Sequence, residues 1–152
     1  VSQPDLIPAI RGQLVADGIA RDPRVAGPLP PCWAEPRDGI PAPGESSGTA
    51  TDAGVVLGLL RTGGIPAGPG EGYSRRETVD VVVRSLVAPP AREIERQVLA
   101  VFAPPPYGTR SDWVLADGLR VIESRAWRAL QPITVDDQAI TSVFSLLLET
   151  YA

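Results

Sequence analysis

The chain has 152 residues, 43% of them hydrophobic, which is enough for one domain with a real core and argues against wholesale disorder. Its basic residues are all Arg, 14 of them against 18 acidic residues, giving a net charge of −4 with no His and no Lys. That excludes His-based triads and His metal sites outright, argues against high-affinity nucleic-acid binding, and leaves one cysteine, Cys32, which cannot form an intrachain disulfide.

Proline and glycine are unevenly placed. Residues 23–72 hold 20 of the 32, so the middle of the sequence reads as loop-dominated and the outer parts carry the regular structure. Residues 5–17 predict a helix, with Leu6, Ile7, Ile10, Leu14 and Val15 on one stripe. Asp5 is placed to cap it, Pro8 sits in the first turn where a missing N–H is tolerated, and Gly18 is a stop. Pro28-Leu29-Pro30-Pro31 forces extended or turn geometry, and Cys32-Trp33-Ala34 is an optional short strand. Residues 36–52 predict a long surface loop.

Residues 54–60 form a short apolar run that reads as a buried strand, followed by a second loop over 61–74. Residues 77–87 give the clearest strand: Val79, Val81 and Val83 share one face, and Thr78, Asp80 and Arg84 the other. A hairpin joins these two strands. Pro89 and Pro90 introduce a helix over 91–103 with Ile94, Val98, Leu99 and Phe102 as its apolar stripe. Two further strands are expected, over 119–127 and 138–151, joined by residues 131–137. In the last strand Ile140, Phe144, Leu146 and Leu148 face one way, while Val143 and Leu147 face the other and are also apolar. Its second face therefore needs either more chain or another subunit.

Strands in pairs rather than singly between helices predict an α+β fold. The expected form is a mainly antiparallel sheet of four to five strands with two helices packed on one face. The long loops fall between the first helix and the central hairpin.

The search for chemistry returns little. The Gly-rich segment 63–72 lacks the Gly-Lys-Ser/Thr of a phosphate loop, and a strand rather than a helix follows it. Asp136-Asp137 is the one acidic doublet, but adjacent side chains diverge and no calcium loop surrounds it. Ser46-Ser47 has no neighbouring base. No catalytic, cofactor or metal residue is assigned. Arg75, Arg76, Val143 and Leu147 are the candidate residues of a subunit interface. Trp33, Trp113 and Trp127 read as core or loop anchors. With no long apolar run, neither at the start nor elsewhere, a soluble protein made in a cytoplasm is expected.

The layout resembles a known family. An N-terminal amphipathic helix is followed by a Trp-containing segment, an apolar strand and a Gly-rich hairpin loop. Then come the strand Arg-Glu-Thr-Val-Asp-Val-Val-Val-Arg-Ser (76–85), the helix Ala-Arg-Glu-Ile-Glu-Arg-Gln-Val-Leu-Ala-Val-Phe (91–102), a strand with Arg120-Val121 and a closing strand over 138–151. This resembles the tail-terminator and minor tail proteins of long-tailed bacteriophages. The resemblance covers nearly the whole chain. It implies a ring, usually a homo-hexamer, that caps the tail tube and joins it to the head-proximal connector or stopper protein. DNA would pass through its lumen without specific binding. The location implied is the virion neck, assembled in the host cytoplasm, with no cofactor, membrane or enzymatic activity. Other neck components share these expectations, and a small-molecule or peptide-binding module is the reading from a different class.

Overall fold

The computed structural model describes residues 5–36, 39–41, 54–66, 74–86, 89–131, 134–135 and 139–151. It shows an α+β fold of two helices and one open, mostly antiparallel sheet. The elements run α1 (Leu6–Ala16), β1 (Cys32–Ala34), β2 (Val55–Pro66), β3 (Ser74–Ser85), α2 (Pro89–Phe102), β4 (Thr109–Val114), β5 (Arg120–Arg128), β6 (Thr134–Val135) and β7 (Ile140–Tyr151). The strand order is β1-β2-β3-β7-β5-β4, with the two-residue β6 alongside β7. Among the described strands, β1 is the one that pairs in parallel. The central three strands are each 12 residues long.

The period of two in β3 and β7 sets the core. Register places Val79 opposite Leu146 and Val81 opposite Phe144, and paired residues share a face. On β2, Leu57 and Leu59 join them opposite Val83 and Val81. Both helices cover this inner face. Leu6, Ile7, Ile10 and Leu14 of α1 and Ile94, Val98 and Phe102 of α2 belong to the same buried cluster as the strand residues. Each such side chain, fully buried, contributes about 1.5–3 kcal/mol of transfer free energy.

The end of α2 is fixed by polar contacts. The Ser124 hydroxyl donates to the Phe102 carbonyl at 2.6 Å and accepts from Trp113 Nε1 at 3.2 Å, all buried. Phe102 meets the Trp113 ring edge-on at 5.4 Å, and the Arg110 guanidinium lies 3.9 Å from the centroid of that ring. Between α1 and β1, buried Arg21 donates to the carbonyls of Leu29 at 2.9 Å and Val25 at 2.8 Å, so the Pro-rich turn wraps around its guanidinium.

Several expectations are corrected. Residues 61–66 are strand rather than loop: β2 continues to Pro66 opposite Arg75 because β3 supplies the pairing partners that Gly63 and Gly64 do not demand by propensity. An extra residue, Thr62, is absorbed at a register shift between Arg61 and Gly63. The sheet has more strands than the expected four to five, because β4 and β6 add to it. Asp5 occupies the cap position of α1 but makes no side-chain cap bond; its carboxylate accepts from Arg61 at 2.8 Å instead. Val15, expected in the α1 stripe, is 39% exposed. Gly18 ends the helix with φ 71, a conformation glycine adopts without penalty. Most of the predicted loop 36–52, the segment 67–73, Ser46-Ser47 and Asp136-Asp137 lie outside the described residues.

Candidate functional site

The outer face of the sheet, away from the helices, is read directly from the register. Successive rows across β2, β3, β7 and β5 are Val56–Arg84–Thr141, Gly58–Val82–Val143, Leu60–Asp80–Ser145–Arg128, Gly63–Thr78–Leu147–Arg125 and Ile65–Arg76–Glu149–Glu123. In the first two rows Val56 and Val82 are covered by the chain itself. A Cβ on Gly58 would lie 2.1 Å from the Ile40 side chain, so the absence of a side chain at 58 is what lets Ile40 pack there. Arg84 Nη1 donates to the Ile40 carbonyl at 2.7 Å and holds that segment down. Val56 and Val82 are accordingly buried.

In the third row the Ser145 hydroxyl donates to Asp80 at 2.5 Å. Beyond it the face opens. Gly63, Gly64, Arg76, Thr78, Arg125, Trp127 and Leu147 line a shallow groove of about 360 Å³. A smaller one, with Glu123 and Glu149 among its lining residues, adjoins it along Arg76, Arg125 and Leu147. Leu147 is the half-buried floor, and Trp127 is 50% exposed. Arg76 reaches Glu149 only at 3.6 Å and Arg125 reaches Glu123 only at 4.0 Å. Both contacts use Nε and exceed hydrogen-bonding distance, so each guanidinium faces a carboxylate without a hydrogen bond to it, and that of Arg125 also lies 5.9 Å from the centroid of the Trp127 ring.

The structure thus brings Arg76 and Leu147 of the four candidate residues together. Arg75 projects to the opposite face, where it lies 3.8 Å from buried Glu77. Val143 shares the outer face with Leu147 but sits two rows away, against the covered end. Sequence reasoning missed Arg125 and read Trp127 as a core or loop anchor, whereas it is half exposed on the outer face. Register shifts in β5, at Val121/Glu123 and Ala126/Arg128, break the alternation that would have assigned their faces.

Elsewhere the titratable groups point to structure. Arg61 gathers Asp5, Glu35 and Glu77 at 2.8, 3.7 and 3.6 Å, tying the start of α1 to β1 and β3. Burial pushes the Cys32 thiol up to about 12, so it stays protonated and inert at neutral pH. Arg24, hydrogen-bonded at 3.0 Å, holds Asp22 down to about 2. Among the described residues no group of three or more His, Cys, Asp or Glu is arranged to hold a metal, and no helix is long and apolar enough to cross a membrane. No family model matches the chain, and no curated protein matches it.

Proposed function

We propose that the chain is a structural subunit of a phage virion, one copy of a closed homo-oligomeric ring that caps the tail tube and joins it to the head-proximal connector. One observation carries the reading. Among the described residues, the sheet's outer face is covered at one end by Ile40 over Gly58, and at the other Leu147, Trp127 and two guanidiniums facing carboxylates beyond hydrogen-bonding distance stand side by side. A mixed apolar and charged surface of this kind is what a subunit contact uses, with an aromatic and Arg anchor inside a polar rim. The resemblance of the sequence layout to tail-terminator proteins points the same way. A sixfold ring is the stoichiometry that goes with it.

Native mass spectrometry of the purified chain over a range of concentrations tests the reading. A single closed stoichiometry above two copies supports it. A strict monomer at every concentration, including in the presence of tail-tube protein, contradicts it. The groove also favours a second reading, a module that binds a peptide or small molecule, and a monomer that retains a ligand through purification is the result that reading predicts.

A further inference from the structure

We draw no further inference here: the strongest candidate, the shallow groove along α2 lined by Leu99, Ala100, Ala103 and Pro105 together with Arg92 and Arg96, is an unpartnered face, and nothing in the structure shows what covers it.

Discussion

The two faces of β7 differ in how they are finished. Phe144, Leu146 and Leu148 project inward and are at most 1% exposed, under two helices from the same chain. Val143, Ser145, Leu147 and Glu149 project outward, and their surroundings change along the strand. On β2 and β3 Ile40 lies over Gly58, and Val56 and Val82 are buried there, while Val143 and Leu147 of β7 are both half-buried; guanidiniums and an indole stand around Leu147. The inner face thus accounts for folding of the single chain. Among the described residues the outer face is covered over one end only, and the other end carries the surface proposed as a contact.

Substitutions on the two faces break the comparison if it is wrong. The largest effect belongs inside: Phe144→Ala is expected to cost about 3–5 kcal/mol in denaturant unfolding, through lost transfer free energy and an incompletely collapsed cavity. Gly58→Val comes next, at about 1–3 kcal/mol, because Ile40 must leave its place over β2. It also strips cover from Val56 and Val82, which protease susceptibility near residue 40 would register. Leu147→Ala is expected to cost about 1 kcal/mol, since the side chain is only half buried in the single chain. If Leu147→Ala destabilises the isolated chain as much as Phe144→Ala, the two faces are not different in kind.

The smallest effect lies away from both faces and sets the background. Asp22 is held at about 2 against an ordinary 3.8, so its contact with Arg24 adds stability above about pH 4 that is lost as pH falls through 2. Asp22→Asn is expected to flatten that part of the acid-unfolding profile and leave neutral-pH stability slightly lower. An unchanged acid profile would show that the contact is too well solvated to matter.

The α+β class, both helices, β3 and β7 were legible because their side chains follow clean periods, and the first half of β2 because it is a short apolar run. Val79, Val81 and Val83, and likewise Phe144, Leu146 and Leu148, announce a buried face by alternation alone. What was not legible is where local propensity and pairing disagree. Residues 61–66 of β2 hold two glycines and a proline, and only the partner strand makes them extended. In β4, Trp113 is the one buried residue among six, so no pattern marks it as a strand. Half of the proposed contact surface was readable, since Leu147 follows from the period of β7 and Arg76 stands out with Arg75 as the one adjacent Arg pair, just before the expected strand. Arg125 and Trp127 were not, because the register shifts in β5 reset which way its side chains point.

Oxidative footprinting of Trp127 as protein concentration rises tests most directly whether the open half of the outer face is completed by another copy. Trp127 is 50% exposed in the single chain and Tyr107, outside the groove, is 87% exposed, so the second serves as an internal reference. Protection of Trp127 on assembly, with Tyr107 still reactive, is the predicted result. Trp127 remaining as reactive in the assembled protein as in the dilute chain would contradict it.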